Sequence, residues 1–157
     1  MSTRIDVGAT VPDVPLTGSD GAAMRISDFR GRPLVVFFYP KDDTPGCTTE
    51  NKDFSALAPE FAQAGVALLG VSKDPPARHA KFTAKHGLAV PLASDAESDG
   101  LSDALGIWVE KALYGRKYMG MERTTYLIDA EGRIARVWRK VKVNGHAAAV
   151  LEAAKAL

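Results

Sequence analysis

Two continuous apolar runs, residues 34–39 and 66–71, are the clearest feature of the hydrophobic pattern along the chain. Runs of this length that are rich in β-branched and aromatic side chains are typical of strands covered on both faces of a parallel sheet. Between them, Phe54, Leu57 and Phe61 recur at helical spacing. The pattern therefore predicts a strand, a helix and a parallel strand, a unit whose crossover is almost always right-handed.

Prolines and glycines set the expected ends of the helices. Pro59 lies inside the first helical pattern, where a proline removes a backbone donor and is expected to kink or break the helix. Asp74 and Pro75 fit the N-cap and the first position of a second helix, which is expected to end near Gly87. A C-terminal helix is predicted over residues 147–157.

Alternating segments beside turn residues predict two hairpins. Residues 124–128 and 134–138 enclose the turn sequence Asp-Ala-Glu-Gly, and residues 16–26 enclose a weaker turn, Gly-Ser-Asp-Gly. Adding these strands to the parallel pair gives an α/β fold with a mixed central sheet and helices on both faces. Because no repeat or low-complexity linker divides the chain, a single domain over residues 1–157 is expected.

Size and charge restrict the class of protein. The 157 residues are 46% hydrophobic and 25% charged, which is close to a globular average and unlike a disordered or fibrous chain. Lys and Arg number 20 and Asp and Glu 19, so the formal net charge is only +1. This balance disfavours nucleic acid as a partner. The basic cluster at residues 136–142 alternates with apolar residues, as the solvated face of a strand does.

The chain also lacks the sequence marks of export. Residues 1–6 carry no apolar run of a secretory signal, and no segment reaches the roughly 18 apolar residues that a membrane-spanning helix needs. The chain contains one cysteine, which cannot form an intramolecular disulfide and suits a reducing compartment. We therefore expect a cytoplasmic protein without a membrane partner.

The single cysteine, Cys47, stands where the first buried strand has ended and a helix begins. Loops beyond the carboxyl ends of parallel strands are the usual sites of function in open α/β sheets. Thr44 and Pro45 fit the N-cap and first helical position, which places Gly46 and Cys47 in the first turn. Backbone N–H groups there lack helical partners and favour a thiolate, the nucleophilic form of the sulfur. Gly46 leaves room for a small substrate beside these donors.

The helix dipole alone is too weak to activate a thiol. Lowering a cysteine pKa from about 8.5 to about 6 requires roughly 3.4 kcal/mol, whereas a helix N-terminus supplies about 0.3–1 and at best about 2 kcal/mol. A hydrogen bond to a charged group adds about 1.5–3 kcal/mol, so a donor such as Thr44 or a distant cation is needed. Without one, Cys47 is equally well explained as a small buried hydrophobe and Thr44 as a plain N-cap.

Residues 37–50, FFYPKDDTPGCTTE, resemble the active-site loop of the peroxiredoxins in their Pro-x-x-x-Thr-x-x-Cys spacing. The surrounding residues are similar to the bacterioferritin comigratory protein (PrxQ) branch. Residues 114–129 resemble a later segment of that branch, in which Arg123 takes the place of the active-site arginine. The resemblance spans nearly the whole chain. It implies a thioredoxin-like fold and reduction of hydrogen peroxide or organic hydroperoxides without a metal or an organic cofactor.

The same resemblance implies the roles of three residues. Cys47 would attack the O–O bond as a thiolate and become a sulfenic acid. The Thr44 hydroxyl and the Arg123 guanidinium would bind the peroxide oxygens and stabilise the charge that develops as the bond breaks.

Four further residues would shape the substrate site. Gly46 would contribute backbone donors, and Pro40 and Pro45 would shield the sulfur from bulk water. Glu50, one helical turn beyond the cysteine, is either an ion-pair partner that orients Arg123 or a plain surface carboxylate.

The chain departs from this branch in its cysteine content. Many relatives carry a resolving cysteine at the position of Lys52, and others at about the position of Thr83. A sulfenic acid at Cys47 would therefore react with an external thiol, and glutathione, a glutaredoxin and thioredoxin are the candidate reductants. We expect a one-cysteine cycle in a monomer or weak homodimer.

Other functions make different demands on the sequence. A redox sensor or thiol-dependent chaperone would use the same Cys47 with little turnover. A thioredoxin-fold disulfide reductase is disfavoured because no Cys-x-x-Cys is present. The three histidines, His79, His86 and His146, have no ligand-like spacing, so no metal site is expected.

Overall fold

The computed structural model describes residues 5–95 and 100–157. Nine strands lie within these ranges, seven of them in one sheet and two in a separate hairpin. The strands are β1 (Leu16–Gly18), β2 (Ala23–Met24), β3 (Leu34–Phe38), β4 (Ala67–Ser72), β5 (Leu92–Ser94), β6 (Trp108–Leu113), β7 (Arg116–Met121), β8 (Thr124–Ile128) and β9 (Ile134–Trp138). The helices are a 3-10 turn (Ile26–Phe29), α1 (Pro45–Gln63), α2 (Pro76–His86), α3 (Leu101–Ala104) and α4 (His146–Lys155).

The seven-stranded sheet is mixed, with the order β2-β1-β5-β4-β3-β8-β9. Strand β3 pairs in parallel with β4 across α1, as the apolar runs predicted, and antiparallel with β8 on its other side. Both predicted hairpins are present, since β1 pairs with β2 and β8 with β9. The mixed α/β fold is therefore confirmed.

Alternate residues of β3 face two separate cores. Val35 and Phe37 belong to a core that also contains buried residues of α1, α2 and α4. Val36 and Phe38 belong to the opposite core, to which α3 and the 3-10 turn contribute. Helices thus cover both faces, with the three longer ones on the same side.

The prolines act differently from expectation in two helices. α1 continues through Pro59, so the helix does not break there, and the alternative of a kink stays a prediction. Burial of Phe54 and Phe61 on either side contributes about 1.5–3 kcal/mol each, which offsets the roughly 3 kcal/mol that an internal proline costs. α2 begins one residue later than predicted, with Pro75 at the N-cap. It ends at Gly87, whose φ of 60° gives the expected left-handed C-cap.

The β6–β7 hairpin was not predicted from the sequence. Its turn consists of Tyr114 and Gly115, both at positive φ (51° and 77°), which is the geometry of a tight two-residue hairpin turn. The C-terminal helix is close to its predicted position, over His146–Lys155.

Among the described residues, no helix has the length and apolar character to cross a bilayer. The prediction that residues 1–6 contain no signal segment includes residues 1–4, which lie outside the described residues.

Candidate active site

Cys47 lies in the first turn of α1, as its sequence context predicted. Thr44 is the N-cap residue with an extended backbone (φ −100°, ψ 154°), and Pro45 is the first helical residue. The Cys47 residue is 1% exposed and belongs to the core between the sheet and α1. Its sulfur therefore combines burial with the positive end of a 19-residue helix.

Arg123 reaches this sulfur from a distant part of the chain. Its Nη2 donates a hydrogen bond to Cys47 Sγ at 3.3 Å, across 76 residues of sequence. The antiparallel register of β3 and β8 sets Phe38 opposite Thr124. Because Arg123 directly precedes β8 and the loop to α1 directly follows β3, this register brings the guanidinium to the start of the helix.

Glu50 binds the other side of the same guanidinium. Arg123 Nη1 donates to Glu50 Oε1 at 2.6 Å, and Glu50 is 1% exposed. Residues three apart share a helix face, so Cys47 and Glu50 both point toward Arg123. Burial raises the pKa of Glu50 to about 7, against the lowering effect of Arg123. Of the two alternatives left open by the sequence, the structure shows the buried ion pair and not a surface carboxylate.

Gly46 provides the space in which Arg123 lies. A Cβ at this position would be 3.2 Å from Arg123 Nη2 and 3.9 Å from its Cζ. The sequence suggested that Gly46 leaves room for substrate. In the structure, that room holds the guanidinium beside the sulfur.

The Thr44 hydroxyl has a different partner from the one expected. Thr44 Oγ1 donates to the carbonyl of Lys41 at 2.8 Å and makes no capping bond to the helix. Its proton is therefore engaged with Lys41. The hydroxyl oxygen keeps lone pairs that accept a hydrogen bond.

The two prolines flank the loop with different exposure. Pro40 follows the buried Tyr39 and is itself half-buried, whereas Pro45 is exposed at the start of α1. Their role in shielding the sulfur stays a prediction.

A buried polar network beneath the loop was missed from the sequence. The Tyr39 hydroxyl donates to Asp42 Oδ1 at 2.6 Å, and His79 Nδ1 lies 2.6 Å from Asp42 Oδ2. His79 Nε2 lies 3.0 Å from the carbonyl oxygen of Ala93. Burial, reinforced by Asp42, raises the pKa of Tyr39, which keeps its hydroxyl a donor. The spacing of His79 and Phe82, both buried on one face of α2, was the available signal.

His79 links three parts of the chain, because its two ring nitrogens contact different groups. Nδ1 contacts the Asp42 carboxylate and Nε2 the carbonyl oxygen of Ala93, and the imidazole is fully buried between them. The imidazole therefore ties the loop that contains Asp42 to α2 and β5.

Contacts from just before α2 and from its last turn hold the loop between β3 and α1. Just before the helix, Asp74 Oδ2 accepts a bond from the Asp42 backbone N–H at 2.8 Å. In its last turn, Lys85 and His86 bind the Asp43 carboxylate at 2.7 and 2.9 Å. Asp43 has a φ of 60°, a conformation that non-glycine residues adopt rarely and that these contacts support.

A cleft of about 500 Å³ opens on the side of Arg123 that faces the β6–β7 hairpin. It is lined by Val109, Glu110, Lys111, Glu122, Arg123, Lys140 and Val141. Within residues 5–95 and 100–157, no group of three or more His, Cys, Asp or Glu side chains is arranged to hold a metal ion.

Comparison with known proteins gives a consistent result. Residues 7–137 match the AhpC/TSA family. Peroxiredoxin Bcp of Xanthomonas campestris is 48% identical over 152 residues, which are 97% of this chain and 94% of that protein. Peroxiredoxin Bcp of Bacillus subtilis is 44% identical over 151 residues, 96% of each chain.

A solved structure extends this similarity to three dimensions. It comes from work on the alkyl peroxide reduction activity of Xanthomonas campestris bacterioferritin comigratory protein. The two structures superpose with a TM-score of 0.88 at 47% sequence identity, over 99% of this chain and 98% of that one.

Proposed function

Since the chain belongs to the AhpC/TSA family as a peroxiredoxin of the PrxQ branch, we propose that it reduces peroxides through Cys47 in a one-cysteine cycle. Peroxiredoxins are thiol peroxidases, and the thioredoxin-like fold of this one agrees with that activity. The observation that carries the proposal for Cys47 is its contact with Arg123, a 3.3 Å hydrogen bond at a helix N-terminus.

Two interactions favour the thiolate form of Cys47. The guanidinium of Arg123 contributes about 1.5–3 kcal/mol as a charge-assisted donor. The helix N-terminus contributes about 0.3–2 kcal/mol more. Both interactions act on the charged form of the sulfur, which is the nucleophile that the reaction needs.

The thiolate attacks the terminal oxygen of the peroxide, and the O–O bond breaks. The S–O bond of a sulfenic acid forms, and the electron pair of the broken bond leaves with the second oxygen as hydroxide or alkoxide, which takes up a proton. Arg123 stabilises the charge on the reacting oxygens. Because the Thr44 proton is engaged with Lys41, the Thr44 oxygen accepts the peroxide O–H and orients the substrate.

The peroxide class includes organic hydroperoxides as well as hydrogen peroxide. The alkyl peroxide reduction activity of the Xanthomonas campestris relative, 47% identical to this chain, supports this breadth of substrate.

An external thiol completes the cycle. The chain contains one cysteine, and the two positions at which relatives hold a second one are occupied by the exposed Lys52 and the half-buried Thr83. A thiol displaces water from the sulfenic acid to form a mixed disulfide, and a second thiol releases Cys47. Glutathione, a glutaredoxin and thioredoxin are the candidate reductants. Since Cys47 is 1% exposed, its turn of helix must open before the external sulfur can reach it.

Intact-mass spectrometry after one equivalent of hydrogen peroxide tests the cycle. The expected product is the chain plus one oxygen, which a small thiol converts to a mixed disulfide. The Cys47→Ser variant should gain neither. A sulfur that stays unmodified would contradict the proposal.

Steady-state consumption of peroxide with excess thiol separates an enzyme from a redox sensor. Continued turnover is expected. A single stoichiometric burst would be the behaviour of a sensor that uses the sulfenic form as a signal.

We place this peroxidase in the cytoplasm as a monomer or weak homodimer. A single thiol without a disulfide partner suits a reducing compartment. Sedimentation velocity over a range of concentrations measures the state of association.

A further inference from the structure

The cleft beside Arg123 contains a second cation, Lys111, which the mechanism above does not use. Lys111 lies on β6 directly opposite Tyr118 of β7. Its side chain nevertheless crosses β7, and its Nζ donates to the carbonyl oxygen of Met121 at 2.5 Å. Met121 is fully buried, so this contact fixes the ammonium at the inner end of the hairpin.

Gly120 makes room for this path. A Cβ at Gly120 would be 3.0 Å from Lys111 Cδ and 3.2 Å from its Cε. Gly120 is not among the residues with positive φ, so its backbone does not require glycine. Its missing side chain serves the passage of Lys111, in the same way that Gly46 serves Arg123.

The ammonium shares its cleft with Arg123, whose Nη2 donates to Cys47 Sγ at 3.3 Å. Burial and the neighbouring charge of Arg123 lower the pKa of Lys111, while the charges of Cys47 and Glu122 act in the opposite direction. The other charged groups that line the same cleft are Glu110 and Lys140. Lys111 is therefore a more acidic ammonium than a lysine in water, placed next to the guanidinium that holds the thiolate.

We propose that Lys111 is the general acid that protonates the oxygen leaving in O–O cleavage. This rests on the proposed function of Cys47. The Cys47 thiolate bonds to the terminal oxygen with its hydrogen, the O–O bond breaks, and the leaving alkoxide or hydroxide takes a proton from the Lys111 ammonium. The products are the sulfenic acid, the alcohol or water, and a neutral amine, which regains its proton from solvent.

Two ammonium groups, Lys111 and Lys140, line the cleft. Lys140 is exposed, whereas Lys111 is half-buried and held in place by the Met121 carbonyl, so Lys111 is the better placed acid. Arg123 stabilises charge but cannot release a proton in proteins. An ammonium has three protons, and the Met121 carbonyl engages one of them. General acid catalysis by a group placed against the leaving oxygen accelerates such a step by about 10²–10⁴-fold.

The leaving group provides the test. Hydrogen peroxide expels hydroxide, the anion of a very weak acid, and this oxygen gains most from a proton in the transition state. Peracetic acid expels a carboxylate, which is stable without one. Loss of a general acid should therefore slow the first substrate far more than the second.

The experiment measures single-turnover oxidation of reduced protein by stopped flow, so that no reductant is involved. For Lys111→Gln and Lys111→Arg, we expect hydrogen peroxide to react about 10²-fold more slowly and peracetic acid to change by less than about threefold. Lys117→Gln, at an exposed position of the same hairpin, should leave both rates unchanged.

Three results would overturn the proposal. Full activity of Lys111→Arg would mean that positive charge alone suffices, and equal slowing of both oxidants would mean that Lys111 only supports the structure. Unchanged rates in both variants would mean that it has no part in the step.

A variant that leaves Lys111 in place guards against loss of folding. Gly120→Val fills the space through which the Lys111 side chain passes, and it should slow hydrogen peroxide selectively as well. If it slows neither oxidant, the proposal is wrong. Failure of the proposed function itself would look different, because wild-type Cys47 would then react with neither oxidant.

Discussion

Gly46 and Arg123 lie so close together that a methyl group on the glycine would be 3.2 Å from the guanidinium nitrogen that binds Cys47. The two residues are far apart in sequence, and the register of β3 and β8 brings them together. A side chain at position 46 would crowd the guanidinium nitrogen that contacts the sulfur.

Gly46→Ala should separate activity from stability. Alanine is favoured over glycine in a helix by up to about 1 kcal/mol, so the melting temperature should be unchanged or slightly raised. The added methyl group pushes Arg123 away from Cys47, and oxidation of the sulfur by peroxide should slow at least about tenfold, the effect of losing roughly 1.4 kcal/mol. Stopped-flow oxidation and thermal melts measure the two effects, with Thr49→Ala in the same helix as the control. Normal activity of the alanine variant would show that Arg123 does not need this space.

Arg123→Ala should reduce the thiolate fraction of Cys47. Loss of a charge-assisted hydrogen bond of about 1.5–3 kcal/mol corresponds to a peroxide reaction about 10–150-fold slower at pH 7. The pH dependence of iodoacetamide alkylation reports the thiolate directly. Arg136→Ala removes an exposed arginine that lies over Trp138 and should change neither measurement. An alkylation profile identical to that of the wild type would contradict the role of Arg123.

Glu50 should make the protein less stable as the pH rises. Its pKa is about 7 in the folded protein, against an ordinary value of 4.5, so between these values the native state binds a proton that the unfolded chain lacks. This contribution is fully present below pH 4.5 and is lost as the pH rises through 7. From pH 5 to pH 8 it amounts to a loss of about 2–3 kcal/mol.

Glu50→Gln removes this titration. Urea denaturation at pH 5 and pH 8 should show a smaller decrease in the free energy of unfolding than in the wild type. Glu60→Gln, at an exposed position of α1, is the charge-matched control. If the free energy of unfolding of Glu50→Gln decreased between pH 5 and pH 8 as much as that of the wild type, the assigned role of Glu50 would be wrong.

His79→Gln should destabilise the fold and loosen the active-site loop. The substitution leaves the Asp42 carboxylate buried without its contact to His79 Nδ1. Breaking a buried pair in this way costs about 3–5 kcal/mol of folding free energy. His86→Gln removes the other histidine of α2, whose contact with the exposed Asp43 is screened by solvent and should contribute much less. Urea denaturation compares the two variants. Similar stabilities would contradict the weight given to the buried network.

Local sequence patterns predicted the parts of the fold that depend on neighbouring residues. The apolar runs predicted strands β3 and β4, and Thr44 and Pro45 predicted the start of α1. Both predictions succeeded because burial of a strand and initiation of a helix depend on short segments of sequence. The predicted break at Pro59 failed for the same reason. Local preference disfavours a proline inside a helix, but burial of Phe54 and Phe61 against the sheet outweighs it.

The resemblance to a family pointed to Arg123, but residue spacing by itself did not. The contact arises because β8 pairs antiparallel with β3 and aligns its first residue with the end of that strand. Sheet order and register are properties of the whole chain. The buried pair of Glu50 and Arg123 has the same origin, which is why the sequence left Glu50 with two interpretations.

Sequence patterns were enough to predict the fold class, the helix that begins beside Cys47 and the need for a cation near the sulfur. The folded chain was required to show which acceptor the Thr44 hydroxyl binds, what Gly46 and Gly120 make room for, and which groups surround His79. The difference lies in the distance over which each effect acts. Backbone propensity and hydrophobic periodicity act over a few residues, whereas hydrogen bonds and close contacts between side chains depend on which distant segments the sheet brings together.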